Sequence, residues 1–163
     1  MLITENEIWQ LLNGVRDPEI PVISIVELGV VRNVAVNGEA IEVTITPTYS
    51  GCPAMRVMEE DIIAKLNSEG FANVTVKKVY NPAWTTDWMK PEAKERLREY
   101  GIAPPLTTSP KLHNLFHNDE RVIVCPHCGS HDTTMKSLFG STACKALYKC
   151  NSCQEPFDYF KCI

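Results

Sequence analysis

Apolar residues recur at helical spacing behind a capping signal at the start of the chain. Ile8, Leu11, Leu12 and Val15 follow Thr4-Glu5-Asn6-Glu7, a Thr at the cap with a Glu three residues on. Arg16-Asp17-Pro18-Glu19-Ile20-Pro21 then forbids helix continuation, because each proline fixes its φ and holds the residue before it extended. Ile23, Ile25, Val26 and Leu28 bring the chain back to the core. Val30–Val36 and Ala40–Thr46 predict two strands joined through Asn37-Gly38, a hairpin signal. In the second, Ile41, Val43 and Ile45 share one face and Glu42, Thr44 and Thr46 the other, so one face is buried and one wet. A second helix is expected over Pro53–Glu69, with Met55, Met58, Ile62 and Leu66 as its core stripe, reinforced by Ile63, and Gly70 just past its end. Val74–Tyr80 reads as a third strand and Pro91–Tyr100 as a third helix closed by Gly101. The expected class is α+β: helix, hairpin, helix, strand, helix, with a mostly antiparallel sheet covered by helices.

The pattern breaks off after residue 102. Residues 103–121 hold prolines, Thr and Ser without a sustained period, which reads as a linker or docking arm between a domain at 1–102 and a module at 122–163. His113 and His117 lie four apart there, but no H-E-x-x-H context supports a metal site. The chain is 163 residues long, 44% hydrophobic and of net charge −4, enough for a packed core and one small additional module. The mild acidity gives no reason to expect nucleic acid or anionic lipid as a partner. No apolar run reaches the length of a membrane span, and the acidic start M-L-I-T-E-N-E lacks the basic region of a secretory signal. The cytoplasm is the expected compartment. Seven cysteines, four of them in two C-x-x-C pairs, then read as metal or redox chemistry rather than a disulfide framework.

Candidate chemistry concentrates in two places. The stretch T-P-T-Y-S-G-C-P-A-M-R-V-M, residues 46–58, leaves a strand through a small-residue loop and sets Cys52 directly before Pro53. Proline is favoured at the first helical position, which places Cys52 at the N-cap, facing unpaired backbone N–H groups and the positive end of the helix dipole. Such a setting raises the thiolate fraction of a cysteine; the alternative is a small buried hydrophobe. In the C-terminal module, Val122–Ser130 reads as a short strand running into a knuckle, and Leu147–Cys153 repeats that plan. Two such pairs supply a tetrahedron of thiolates from Cys125, Cys128, Cys150 and Cys153. A module of this size lacks a self-sufficient core, so metal binding must contribute to its folding. Zinc suits four thiolates; iron in a rubredoxin-like site or a small cluster stays open. His127 reads as a solvent-facing knuckle residue. Cys144, six residues along one extended strand, would lie roughly 20 Å from the site and cannot be a further ligand, though it could be a second reactive thiol. Four Lys and no Arg against three acidic residues in 122–163 make a nucleic-acid role for the ribbon unlike the usual basic reader.

The motifs Asp17-Pro18-Glu19 after the first helix and T-x-x-x-C-P over Thr48–Pro53 resemble the small domain of cytosolic iron–sulfur assembly proteins over roughly residues 5–80. That resemblance implies a reactive Cys52 with Asp17 and Glu19 near it. Adding W-T-T-D-W-M at 84–89, I-A-P-P at 102–105 and the ribbon's F-G-S-T-A-C-K-A-L-Y-K-C-x-x-C-x-E-P-F-D-Y-F-K, the chain resembles the family of D subunits of bacterial phenylacetyl-CoA epoxidase systems over essentially its whole length. What this implies is a subunit without catalysis of its own in aerobic phenylacetate degradation. Its partners would be the oxygenase or the [2Fe–2S] reductase, and it would assist iron or cluster insertion with a transient iron or iron–sulfur site at Cys52. A purely structural scaffold is the alternative. The chain has neither the Glu-x-x-His helix pair of a di-iron oxygenase nor a dinucleotide fingerprint. Oligomeric state is not legible. The Trp84–Trp88 segment is either a partner anchor or ordinary packing.

Overall fold

The computed structural model describes residues 3–106 and 122–161. The chain divides into two compact units, Met1–Ala93 and Lys94–Ile163. His113, His117, Cys162 and all of the expected linker beyond residue 106 lie outside the described residues.

In the first unit, helix α1 (Glu5–Leu12) begins where the capping signal requires. The Glu7 N–H donates to Thr4 Oγ1 at 3.3 Å, and the Thr4 N–H donates back to the Glu7 carboxylate at 2.8 Å. The Thr4 N–H and hydroxyl both donate to the Glu7 carboxylate and hold it below its ordinary pKa, the backbone bond being the larger cause. Ionised Glu7 therefore supports the cap above its unfolded pKa, and that support is lost as pH falls through the folded value. Thr4→Ala is expected to cost about 1 kcal/mol, read as a lower urea midpoint at constant slope; an unchanged midpoint would contradict the cap's role. The helix buries Ile8 and Leu12.

Strands β1 (Val31–Asn37) and β2 (Ala40–Ile45) form the expected hairpin, with one adjustment. Asn37 pairs with Ala40, so the turn residues are Gly38-Glu39, one later than Asn37-Gly38, and Gly38 takes φ +65°. Ile41, Val43 and Ile45 are buried, as the alternation predicts, but the face expected to be wet is not: Glu42 and Thr44 are half-buried and Thr46 is buried. Helix α2 (Ala54–Ser68) follows, and Met55, Met58, Ile62 and Leu66 are all core. It ends in a left-handed Gly70 at φ +96°. Strand β3 (Asn73–Lys78) then joins β2 in parallel, giving the order β1-β2-β3. This corrects the mostly antiparallel expectation. A helical crossover returns the chain to the edge it left, so the strand after it must run the same way. Ile20, Ile23, Ile25 and Leu28 complete the core.

The Trp84–Trp88 segment packs inside this unit. Trp84 is buried and its indole N–H donates to the Leu28 carbonyl at 3.0 Å. Trp88, in a short 3-10 turn (Thr86–Trp88), lies beneath the Arg32 guanidinium at 3.6 Å. Its aromatic rings serve packing and a cation–π contact.

Helix α3 (Pro91–Glu99) spans the division between the units, and Gly101 follows it at φ +91°. In the second unit, β4 (Ile102–Ala103), β5 (Thr133–Ser137), β6 (Lys145–Cys150) and β7 (Pro156–Phe160) form a sheet of order β4-β7-β6-β5. β5, β6 and β7 are antiparallel neighbours, and β4 runs parallel to β7. The short strand expected at the start of Val122–Ser130 is absent: residues 122–125 join no ladder. Their links are Thr133 Oγ1 donating to the Ile123 carbonyl at 2.6 Å and the Cys125 N–H donating to Ser130 at 2.9 Å. The core of this unit is Ala103, Ile123, Cys125, Ala146, Cys150, Phe157 and Tyr159, with Tyr148 and Cys153 against it. Among the described residues, no helix is long and apolar enough to cross a membrane.

Candidate metal centre and the Cys52 loop

Each cysteine pair of the second unit sits on a tight knuckle. The Gly129 N–H closes the first by donating to the Cys125 carbonyl at 2.9 Å, and the Cys153 N–H approaches Cys150 Sγ at 3.5 Å in the second. Cys150 is the last residue of β6, so the strand delivers its thiol to the site, while Cys125 follows the unpaired run at 122–124. The four sulfurs lie within 4.8 Å of one another, with Cys125–Cys153 at 3.8 Å and Cys128–Cys150 at 3.6 Å. Thiolates held at ~2.3 Å around a tetrahedral zinc stand ~3.8 Å apart. The donor set therefore fits such an ion in both chemistry and spacing.

As thiols the four are unequal. Backbone N–H groups, that of Cys153 foremost and that of Ser152 behind it, pull Cys150 down to about 6 against its burial. Cys153 accepts from the Glu155 N–H but is nonetheless pushed up to about 12 by burial and by the neighbouring sulfurs. Four crowded thiols cannot all ionise without a cation at their centre; a divalent ion would hold all of them as thiolates.

A set of polar side chains joins the two knuckles, and spacing alone did not reveal it. Ser130 Oγ and Ser152 Oγ meet at 2.8 Å. Asn151 Nδ2 donates to Asp132 Oδ1 at 2.8 Å and to Thr134 Oγ1 at 3.0 Å, while its backbone N–H donates to the Asp132 carbonyl at 2.9 Å. These exposed bonds link the two knuckles beside the sulfurs once the ribbon is folded. His127 is exposed, as expected, but its ring also meets Phe157 edge-on at 6.5 Å and abuts Gly101.

Among the described residues these four cysteines are the one group of three or more His, Cys, Asp or Glu side chains whose ligand atoms converge. Cys144 is outside it, at the far end of β6 from Cys150; it is buried, 3.0 Å from Thr142 Oγ1. Cys52, Asp17 and Glu19 do not form a second such group. Cys52 is buried before α2, but the cap position falls on Pro53, whose dihedrals are already helical. Helical dihedrals at Pro53 suit the first-turn proline the sequence predicts, and Pro53 makes no side-chain capping bond. The Cys52 carbonyl still accepts from the Met55 N–H at 3.3 Å. The loop before it contributes buried Thr46 and Thr48, and Thr46 Oγ1 has no hydrogen-bond partner among the described residues. Asp17 is buried and acts in its own turn: Oδ1 accepts the N–H groups of Glu19 at 2.8 Å and Ile20 at 2.7 Å. That is the Asx geometry expected of Asp before Pro.

Residues 5–77 match the family described as iron–sulfur cluster assembly protein, and residues 109–161 match the PaaD zinc beta ribbon domain. The D subunit of a "Putative 1,2-phenylacetyl-CoA epoxidase" of Escherichia coli is 54% identical over 97% of this chain and 93% of its own length. The chain belongs to this family of epoxidase D subunits. A second relative, an Fe-S protein maturation auxiliary factor of Porphyromonas gingivalis, is 38% identical over 56% of this chain and 89% of its own. Among solved structures, a domain of unknown function from Bacillus anthracis is 32% identical, with a TM-score of 0.53, over 57% of this chain and 90% of that one. A conserved hypothetical protein from Thermotoga maritima is 28% identical at a TM-score of 0.50, over 58% and 94%. The chain thus joins an assembly-type domain to a ribbon carrying four converging cysteines.

Proposed function

We propose that the chain is a cytoplasmic accessory component of a phenylacetyl-CoA epoxidase system, without catalysis of its own, that assists insertion of iron or an iron–sulfur cluster into the oxygenase or the reductase. The observation that carries this reading is the near full-length identity to an epoxidase D subunit, joined to the iron–sulfur assembly match over residues 5–77. In this reading the 1–102 part does the thiol chemistry: Cys52 is the transient thiolate ligand, with Asp17 and Glu19 as carboxylates beside it. The ribbon at 122–163 holds zinc through Cys125, Cys128, Cys150 and Cys153 and serves docking. Zinc would act there as a structural ion, closing the fold rather than entering any reaction.

A second reading has one observation in its favour. Asp17 spends a carboxylate oxygen on its own turn, which suits a scaffold in which Cys52 is inert. Cys52→Ser separates the two. Under maturation, the protein purified without oxygen keeps about one zinc per chain in both forms and carries iron only in wild type, and client loading drops by about tenfold or more. Zinc alone, with client loading unchanged by the substitution, establishes the scaffold and removes the maturation role.

A further inference from the structure

The ribbon leaves several large apolar side chains exposed. Leu138 and Phe139 are 61% and 65% exposed, and Met135, Val122 and Val124 are exposed as well. They belong to one edge of the module. Met135 lies on β5, the outermost strand of the sheet; Leu138 and Phe139 follow directly from it. Val122 and Val124 flank Ile123, whose carbonyl is bonded to Thr133 at the start of that strand.

The loop after β5 is held in shape. The Phe139 N–H donates to Ser137 Oγ at 3.1 Å, and the Gly140 N–H to the Lys145 carbonyl at 2.7 Å. Lys161 Nζ donates to the Leu138 carbonyl at 2.9 Å and sits 4.6 Å from the Phe139 ring centre. Ser141 Oγ donates to Asp158 at 2.8 Å. A pair of apolar side chains presented on a braced loop loses little entropy on association, which is what an interface anchor requires. Charge narrows the occupant. Residues 133–144 carry no carboxylate of their own, and Lys136, near the middle of β5, is exposed. The Asp158 carboxylate that meets the loop is engaged by Ser141 and lies 4.0 Å from Lys145 Nζ. Lys161 adds a cation beside Phe139.

Strand addition to this edge is disfavoured. The β5–β6 register shifts between Met135 and Ser137, a bulge at Lys136, and a bulge with an edge lysine guards a strand against further pairing. The side chains, not the backbone, are on offer.

We infer that the Leu138-Phe139 loop, with Met135 and Lys136, is the face by which this chain binds another protein of the epoxidase system, into an apolar pocket rimmed by carboxylates. This rests on the accessory-component reading. The test is co-expression with the remaining epoxidase components, followed by affinity measurement on the purified partners at low and high salt. Leu138→Ser/Phe139→Ser is expected to weaken association at least tenfold with zinc content and melting temperature unchanged. Lys136→Glu is expected to weaken it less, and chiefly at low salt. Equal binding by wild type and double variant overturns the surface and leaves the accessory reading standing. No binding by wild type overturns both. A wild-type dimer that the double variant abolishes makes a second copy of this chain the occupant and also overturns the proposal.

Discussion

Replacing Cys150 by Ser is expected to abolish metal retention and to unfold the ribbon, the largest effect of any single side chain here. Cys150 is fully buried, and Cys125 nearly so; both belong to the seven-residue cluster that is this unit's core. Two of the four ligands are therefore also core residues, so losing the ion opens the core itself. Metal-coupled folding free energies of four-ligand zinc modules are of order 10 kcal/mol, far above what so few buried side chains supply. The polar bonds between Ser130, Asp132, Asn151 and Ser152 bring the knuckles together but are solvent-exposed, and exposed bonds of that kind contribute little net stability. Retention should also fall as pH is lowered, because each ligand must shed a proton to bind. Elemental analysis gives the metal loss, and amide exchange at Lys145–Cys150 and Pro156–Phe160 gives the unfolding. Protected strands in a metal-free Cys150→Ser protein would refute the dependence of this fold on its ion.

What could be read from the sequence was what depends on neighbours along the chain. The Thr4–Glu7 cap, the Met55–Leu66 stripe and the knuckle cysteines are each set within a few residues, and each stands where the spacing puts it. The parallel pairing of β3 was within reach, since the expected order of strand, helix and strand is that of a crossover connection. β5 was missed because Thr133–Ser137 is largely exposed and shows no alternation, and β4 because two residues carry no period. β7 alternates buried Phe157 and Tyr159 about Asp158, a signal within reach but short. The side chains linking the knuckles are hydroxyls and amides whose partners lie about twenty residues away. Asp17 marks a subtler limit. Its residue type suits either a turn or a site, and only geometry shows that the turn already uses it.

Gly29→Ala should be the most damaging small substitution in the first unit. Gly29 has φ +79°, a left-handed conformation in which a Cβ is strained. A Cβ there would also stand 2.8 Å from both Trp88 Cβ and the Trp88 carbonyl oxygen. Backbone cannot swing aside as a flexible side chain can. Around this turn the chain is fixed on every side: the Gly29 N–H donates to Val26, the Leu28 carbonyl accepts the Trp84 indole, and the Lys90 N–H donates to Glu27. Moving Trp88 would also disturb its stacking under Arg32. Left-handed strain and overpacking together suggest a loss of about 2–4 kcal/mol. Gly38→Ala is the control, since Gly38 has φ +65° but nothing among the described residues within 4 Å of its would-be Cβ. It should lose only the conformational part, about 1 kcal/mol. Urea unfolding followed by tryptophan fluorescence reports both. If the two variants fall equally, the close approach of Gly29 to Trp88 contributes nothing and the strain at positive φ is the whole effect; a gap of about 1 kcal/mol or more assigns the difference to that contact.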